Sequence, residues 1–171
     1  MHEKTIGFIR YLASLAGGGK PNTGAMAALR RSVAFEPGAY AQSFPYVEPW
    51  TKGLEGWPRK AYYLVAGLYA HHQKQRDGLP FARAYYQVAK DRGSDSLERR
   101  FLALLDSDEE EIVYRLRQAV SLLQDTGFDW AGLLNDLLFW HVPERRNQVK
   151  VAWARQFYGG EPTEKTKEEA E

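Results

Sequence analysis

The sequence contains no cysteine and no long apolar run, and these two absences exclude several classes of protein. Without cysteine the chain forms no disulfide, holds no zinc ion through thiolates and has no thiol nucleophile. No stretch approaches the roughly 18 apolar residues that a membrane span requires. Arg10 interrupts the short apolar stretch between Ile6 and Leu15, which is not the pattern of a secretory signal peptide. We therefore expect a cytoplasmic protein that is not attached to a membrane.

The chain also has little net charge, because 23 basic and 22 acidic residues leave +1, but the two signs are segregated. Residues 59–92 carry seven lysines and arginines against two aspartates, whereas residues 93–130 carry four arginines against nine acidic residues. A basic face can contact a polyanion, and an acidic face can contact a basic protein. Ordinary solvated helix faces would give the same pattern, so both interpretations stay open at this point.

Apolar residues recur at helical spacing along most of the chain, and no segment shows the alternation of a strand. The predicted fold is all-α, without a sheet, and consists of two packed helical lobes, residues 1–93 and 94–160. Residues 36–58 hold four prolines and five aromatic residues, which predicts a packed loop. The predicted helices cover 3–15, 24–35, 58–74, 80–91 and 95–105, then one between Ser107 and Gly127, one after Asp129 and one from Pro143.

Several helix caps and buried faces are predicted along with these helices. Thr23 and Asp129 are the expected N-caps of their helices, and Asp95 with Glu98 and Ser107 with Glu110 are the expected capping pairs. Helical spacing places further residues toward the core. They are Ile6, Ile9 and Leu12 or Ala13 in the first helix, the stripe from Trp130 through Leu138 to His141, and Val149, Ala152, Trp153, Gln156 and Phe157 in the last helix.

No arrangement of residues indicates catalysis. Lys20 follows three glycines, as in a phosphate-binding loop, but Pro21 stands where such a loop has serine or threonine. His71 and His72 are adjacent and cannot bind one ion from the same helix face. The acidic run 108–111 is typical of the first turn of a helix, where carboxylates interact with the positive end of the helix dipole. We therefore predict a non-enzymatic protein without a metal ion or cofactor.

Basic and aromatic residues are the remaining candidates for function. Arg30 flanks the apolar stripe of the second helix and Arg31 points further outward. With Lys20 of the glycine-rich loop they would form a phosphate clamp, whereas two solvated arginines on a surface helix are the alternative. Aromatic residues near Arg59 and Lys60 would either stack on bases or fill the core. These aromatic residues are Trp50, Trp57, Tyr62 and Tyr63.

Several blocks of sequence, spread over residues 5–158, are informative in combination. The first blocks are residues 24–31, with the paired arginines, and the aromatic and proline-bearing stretch 35–57. The later blocks are 97–105, Leu116 with Arg117, 128–138, Trp140 and 153–158. No block is a sharp motif alone, but their order and spacing together resemble the CasB family, the small subunit of the type I-E CRISPR surveillance complex called Cascade.

The resemblance implies an all-helical, non-catalytic subunit that is present in two copies. Its implied partners are the guide-RNA-bearing backbone subunits, the large subunit, the target and displaced DNA strands and a second copy of itself. It would hold the guide–target hybrid and the displaced strand. The residues expected to contact nucleic acid are Lys20, Arg30, Arg31, Arg59, Lys60, Arg99, Arg100, Arg145, Arg146 and Lys150.

Three alternatives stay open beside this interpretation. Arg99 and Arg100 would instead join the two lobes by pairing with acidic residues. The whole chain would instead be a helical adaptor that binds only proteins, without touching nucleic acid. A small nuclease is the third function class, which a metal-dependent cleavage assay separates from the other two.

We expect residues 161–171 to be a disordered acidic tail, since five glutamates and a proline among eleven residues cannot contribute a core. Deleting them should leave the melting temperature unchanged. Because the deletion removes a net charge of −3, non-specific affinity for DNA should rise slightly, most visibly at low salt. Thermal melting and DNA titrations at two salt concentrations measure both effects. A large fall in melting temperature would show that the tail packs on the body.

Overall fold

The computed structural model describes residues 2–160, and this range is helical along most of its length. It contains no β-strand within that range, which confirms the predicted all-α fold; a parallel bridge joins Gln75 to Phe128. The predicted acidic tail lies outside the described residues. The α-helices are α1 (His2–Gly17), α2 (Thr23–Ser32), α3 (Phe44–Val47), α4 (Trp57–His71), α5 (Phe81–Arg92), α6 (Asp95–Leu105), α7 (Glu111–Leu122), α8 (Trp130–Leu138) and α9 (Pro143–Tyr158).

Proline and glycine set several of the helix boundaries. Pro58 lies in the first turn of α4 and Pro143 opens α9, where a missing N–H leaves no hydrogen bond unmade. Gly93 ends α5 in the left-handed conformation, at φ +58°. Between α2 and α4 the chain forms only the four-residue α3 and two 3₁₀ turns, Ala41–Ser43 and Glu48–Trp50. The stretch predicted as a packed loop, residues 36–58, therefore contains only short helical turns before α4 begins.

Three predicted caps are wrong. Asn22, not Thr23, caps α2, because its Oδ1 accepts a hydrogen bond from the Ala25 N–H at 2.9 Å. The N-cap of α7 is Glu110, not Ser107, and Asp108 accepts from the N–H groups of residues 110 and 111 at 2.9 and 2.8 Å. Ser107 instead donates back to the Ala103 carbonyl at the end of α6. The N-cap of α6 is Ser94, not Asp95, and its side chain makes no capping bond.

Asp129 caps α8 as predicted, because it accepts from the Gly132 N–H at 3.2 Å.

Three residues expected in the core lie at the surface instead. Ile6 is 41% exposed, because the buried stripe of α1 runs through Thr5, Phe8, Ile9 and Leu12. His141 is exposed, since α8 ends at Leu138. Ala152 is exposed because α9 buries only Trp153 and Phe157, one turn apart.

The centre of the molecule is α4, in which every residue from 61 to 70 is buried. It packs against α2 on one side and α8 on another, with α1, α3 and α7 completing the surround. The contact with α2 is close at Gly67. A Cβ there would lie 2.9 Å from both Ser32 Oγ and Val33 Cγ2, so a larger residue would force the two helices apart.

Four tryptophans are buried, and each indole N–H has an acceptor distant in sequence. Trp57 donates to the Leu137 carbonyl at 2.6 Å and Trp140 to the Ser107 carbonyl at 3.0 Å. Trp130 donates to the Lys74 carbonyl at 3.1 Å. Trp153 donates to Asp136 Oδ2 at 2.8 Å. These bonds satisfy the polar end of large apolar rings and join α4, α8 and α9 to distant parts of the chain.

The buried apolar side chains form one cluster that extends from Phe8 in α1 to Phe157 in α9. In particular, α1 and α4 both pack on α8. The division into two lobes near residue 93 stays a prediction. Among residues 2–160, no helix combines the length and apolarity needed to cross a membrane.

The partly buried carboxyl of Asp136 predicts a pH-dependent stability. Burial raises its pKa to about 6, above the usual value of 3.8. The folded state therefore holds this proton more tightly than the unfolded state, and ionisation of Asp136 destabilises the fold. Asp136→Asn should stabilise the protein at pH 8 by on the order of 3 kcal/mol at most. The gain should shrink as pH falls through about 6 and vanish below about 4.

Urea unfolding of wild type and Asp136→Asn between pH 4 and pH 8 measures this effect. The matched control is Asp91→Asn, which removes an exposed carboxylate from α5 and should change the free energy of unfolding little at any pH. An Asp136→Asn variant that is less stable than wild type at pH 8 would contradict the expected ionisation penalty.

Candidate nucleic-acid interface

Five of the ten basic residues predicted to contact nucleic acid have side chains that make no ion pair, hydrogen bond or ring contact within residues 2–160. Lys20 lies between α1 and α2, Arg31 is in the last turn of α2, and the other three lie on α6 or α9. These three are Arg99, Arg100 and Arg146. All five but Arg146 are exposed. Their charges are therefore not neutralised by the fold and remain available to an anion.

Arg99 and Arg100 follow from the amphipathic pattern of α6. The helix buries Leu97, Phe101 and Leu104, so position 99 falls on the opposite, solvated face, whereas position 100 flanks the buried stripe, where its side chain is still exposed. The alternative interpretation, in which these two arginines join two lobes by ion pairs, has no such ion pair to support it among the described residues. Their place in the fold leaves them free to contact a partner.

Arg30 is tied to the protein although it remains exposed. Its Nε donates to the Ala70 carbonyl at the end of α4, at 3.1 Å. The Arg30 carbonyl in turn lies 3.2 Å from Nε2 of His71. Arg30 therefore joins α2 to α4, whereas the side chain of its neighbour Arg31 makes no comparable contact within the described range. The two adjacent arginines have different surroundings, as their 100° separation on the helix predicts.

Arg59 is the most strongly engaged of the predicted cations. Its Nη2 and Nε donate to the two carboxylate oxygens of Glu48, at 2.9 and 3.2 Å. The guanidinium also lies 4.7 Å from the centre of the Tyr63 ring, whose hydroxyl donates to Glu48. Hydrogen bonds from Arg59 and Tyr63 hold the pKa of the Glu48 carboxyl below its usual value. Arg59 is thus placed to hold residues 36–58 against α4.

Glycine at position 38 makes room for this arrangement. Gly38 has φ +83°, and a Cβ there would lie 2.5 Å from Arg59 Nη1. Its carbonyl accepts a hydrogen bond from the same nitrogen at 3.4 Å. The next residue of α4, Lys60, is more loosely held, with its Nζ 4.0 Å from Glu36 and 47% of its side chain exposed.

The three candidate residues of α9 also differ from one another. Lys150 lies 3.6 Å from Asp106 and its side chain is 31% exposed. Arg145 lies over the Phe139 ring, 4.7 Å from its centre. Arg146, one turn before Lys150, has no ion pair within residues 2–160. The three side chains therefore do not form one uniform basic patch.

The cations of the predicted phosphate clamp lie at opposite ends of α2. Lys20 precedes the N-terminus of α2, whereas Arg30 and Arg31 lie in its last turn. The helix between Thr23 and Arg30 rises by about 10 Å along its axis. The clamp stays a prediction, and cations spaced in this way suit successive phosphates of an extended backbone.

The aromatic residues proposed to stack on bases mostly fill the core. Trp57, Tyr62 and Tyr63 are buried, and Trp50 packs on Phe8 with ring centres 5.5 Å apart. Of the two interpretations left open by the sequence, packing is the one that the structure supports.

Two exposed aromatic residues that sequence reasoning missed lie elsewhere. Phe35 and Tyr114 are 47% and 63% exposed. They line a cleft of about 530 Å³ with Lys60, next to the carboxylates of Glu36, Glu109 and Glu110. The signal for Tyr114 is present in the sequence, because the helical spacing of Ile112 and Leu116 places position 114 on the solvated side of α7.

The side chains set aside as metal or catalytic candidates have structural contacts. Nε2 of the buried His72 lies 2.8 Å from the Thr126 carbonyl, and burial lowers the pKa of its imidazole. Asp108 of the acidic run accepts from two N–H groups at the start of α7. Across residues 2–160, no three His, Asp or Glu side chains come together in a way that could hold a metal ion. The arrangement offers positive charge and exposed rings for binding.

Comparison with known proteins agrees with this architecture. The family model of the CRISPR-associated protein Cse2 matches residues 25–158. The Cse2 protein of Thermus thermophilus is 48% identical over 170 residues, which is 96% of each chain.

Solved structures named Cse2 and CasB share the fold. The crystal structure of a Cse2-family protein from Thermus thermophilus superposes with a TM-score of 0.81 at 48% identity, covering 91% of this chain and 98% of that one. CasB of M. ruber superposes with a TM-score of 0.77 at 34% identity, covering 98% and 97%. A chain of a CRISPR RNA-guided surveillance complex, 21% identical, has the same fold with a TM-score of 0.74, covering 99% of both chains.

The family model covers most of the chain, and the identity to the Thermus thermophilus protein extends over almost its full length. The resemblance read from the sequence is therefore confirmed, and this chain belongs to the CRISPR-associated Cse2 (CasB) family.

Proposed function

We propose that this chain is the small, non-catalytic subunit of a CRISPR RNA-guided surveillance complex, and that it binds nucleic acid through the phosphate backbone. The observation that carries the proposal is that four of the ten residues predicted to contact nucleic acid are exposed and lack ion pairs within residues 2–160: Lys20, Arg31, Arg99 and Arg100. Membership of the Cse2 family and the shared fold of a chain from a CRISPR RNA-guided surveillance complex support it.

The chemistry of RNA-guided recognition explains why such a modest surface is sufficient. Sequence is read by pairing between guide and target, so a supporting subunit needs only to contact the backbone. The guide–target hybrid is about as stable as the duplex that it replaces. A few phosphate contacts to the hybrid or to the displaced strand therefore shift the balance toward the open state.

Each single contact between a cation and a phosphate is weak, and the assembled complex combines several of them. The free cations lie on separate elements of the described range, chiefly α2 and α6, and do not converge on one site. We propose that backbone and large subunits, and a second copy of this chain, supply the rest of the surface in a cytoplasmic complex. Linking several weak contacts raises their effective concentration, so that the assembled complex holds DNA more tightly than the lone chain.

Replacing a free cation should change nucleic-acid binding without changing stability. Arg31→Gln should flatten the log–log dependence of single-stranded DNA affinity on salt by about 0.7. Its melting temperature should stay at the wild-type value, because Arg31 makes no ion pair within the described residues. Fluorescence anisotropy titrations over a range of salt concentrations, together with thermal melting, measure both properties.

The matched control is Arg59→Gln, which removes a cation that the fold already uses. It breaks two charge-assisted hydrogen bonds to Glu48 and should destabilise the protein by about 1–3 kcal/mol. The salt dependence of DNA binding should stay that of the wild type. If Arg31→Gln left the salt dependence unchanged while Arg59→Gln reduced it, the division of these residues into free and structural cations would be wrong.

Adding this chain to a guide-RNA complex that lacks it should slow the dissociation of matched target DNA. The preference among target sequences should stay that of the guide. Off-rates measured with and without the chain, on matched and mismatched targets, test this expectation. An unchanged off-rate would favour an adaptor that binds only proteins, and DNA cleavage by the chain without any nuclease partner would favour an enzyme.

A further inference from the structure

A groove runs between α1, the turn at residues 73–80 and the beginning of α8. It consists of two adjoining cavities of about 330 and 300 Å³, both lined by Ile6, Asp129 and Ala131. We call it the α1–α8 groove. None of the ten basic residues considered above lines it. It is therefore a separate feature from the proposed nucleic-acid interface.

The floor and centre of the α1–α8 groove are apolar. Ile9 and Tyr69 are buried beneath the first cavity, and Phe81 and Leu133 are buried beneath the second. Ile6 lies where the cavities adjoin, outside the buried stripe of α1, and is 41% exposed. An exposed aliphatic side chain over an apolar floor is what a protein contact buries.

The rim of the groove is acidic and has unused hydrogen-bond acceptors. Asp77 Oδ1 and Asp129 Oδ1 both accept from Gln75 Nε2, at 2.9 and 3.3 Å. Asp136 accepts only from Trp153. Within residues 2–160, the second carboxylate oxygen of each aspartate accepts no hydrogen bond. The Gln156 Oε1 atom at the second cavity is buried and also lacks a donor there.

The positive groups at the groove do not balance these acceptors. Arg10 lines the first cavity and makes no ion pair within the described residues. His2 lines the second, where its Nδ1 lies 2.7 Å from Asn135 Nδ2. Three carboxylates against one arginine leave the groove with net negative charge, which repels phosphate and attracts lysine or arginine.

We propose that the α1–α8 groove binds a segment of a neighbouring protein subunit that presents an apolar side chain next to a lysine or arginine. The apolar side chain covers Ile6, and the cation donates to the free oxygens of the aspartates. Such a donor also offsets the cost of the buried Asp136 carboxylate, whose pKa burial already raises to about 6. This inference rests on the proposed function, because the neighbouring subunit belongs to the proposed complex.

The test uses the whole chain in a guide-RNA complex isolated through a tagged backbone subunit. Ile6→Glu should reduce the fraction of this chain that is retained by about tenfold or more, since it puts a charge on the apolar centre. Asp77→Arg should reduce retention about threefold at low salt and less at high salt. Both residues are exposed, so both variants should keep the wild-type melting temperature.

Two controls make the same kinds of substitution, apolar to Glu and acidic to Arg, at exposed positions away from the groove. Leu102→Glu changes an apolar residue of α6 that is 47% exposed, and Glu55→Arg reverses an exposed acidic residue before α4. Both should be retained like the wild type. Because the chain has no cysteine, Ala13→Cys adds one reactive thiol at the groove. Its reaction with a maleimide should slow at least about tenfold in the complex relative to the free chain.

The outcomes separate this inference from the proposed function. Normal retention of Ile6→Glu and Asp77→Arg, or unprotected Ala13→Cys, would overturn the groove proposal while the DNA off-rate still tests the proposed function. Loss of retention with unchanged salt-dependent DNA binding by the isolated variants supports the groove as a protein contact. If Ile6→Glu is retained but DNA dissociates faster, the groove contacts nucleic acid and the proposal is wrong. Failure of the wild-type chain to join the complex would overturn both.

Discussion

The rest of the structure depends on the burial of α4. Ten consecutive residues of this helix, 61–70, are buried, so it has no solvated face in its centre and must be surrounded on all sides. The helices α1, α2, α7 and α8 supply that surround, and α2 approaches closely at Gly67. A helix enclosed in this way joins the early and late helices of the chain around one core. The surface that remains is made of the outer faces of short helices, which suits broad contacts with large partners.

The same packing decides which charges are available for function. Arg59 at the start of α4 is neutralised by Glu48 and flanked by aromatic rings, whereas Arg31 on the outer side of α2 and Arg99 on the outer side of α6 make no ion pair within residues 2–160. A count of lysines and arginines does not show which cations are paired within the fold and which are free. A cation is paired where a carboxylate or a loop carbonyl lies within reach of it, and is free where none does. The proposed nucleic-acid interface therefore consists of those predicted contact residues that folding leaves exposed and unpaired.

Much of the fold could be predicted because helical periodicity is strong along this chain. Helical spacing correctly predicts the buried stripe of α8 from Trp130 to Leu138, and residue type predicts the Asp129 cap. The wrong predictions of caps and of buried residues have physical causes that helical spacing does not reveal. Asn22 and Glu110 replace the predicted caps because cap choice depends on backbone conformation at one residue. Ile6 is exposed because the face of α1 that packs on its neighbours is centred on Phe8 and Leu12.

The candidate site was less predictable than the fold. The ion pair of Arg59 joins residues 11 positions apart, and the hydrogen bond from Arg30 reaches a carbonyl 40 positions away. Local sequence does not specify such contacts. The exposed rings of Phe35 and Tyr114 lie in one cleft because the segment after α2 lies beside α7, where Arg117 donates to the Phe35 carbonyl at 2.9 Å. The α1–α8 groove likewise joins segments from the beginning, middle and second half of the chain, and no motif marks it.

The central claim is that the unpaired cations contact nucleic acid within the assembled complex, and the displaced DNA strand is the component that can be labelled most selectively. Photo-crosslinking with 4-thiothymidine placed along the displaced strand, followed by peptide mapping of this chain, tests it most directly. The account predicts crosslinks in peptides that contain Arg31 or Arg99 and Arg100, and none in the peptides that line the α1–α8 groove. Crosslinks confined to the groove, or to no part of this chain, would contradict it.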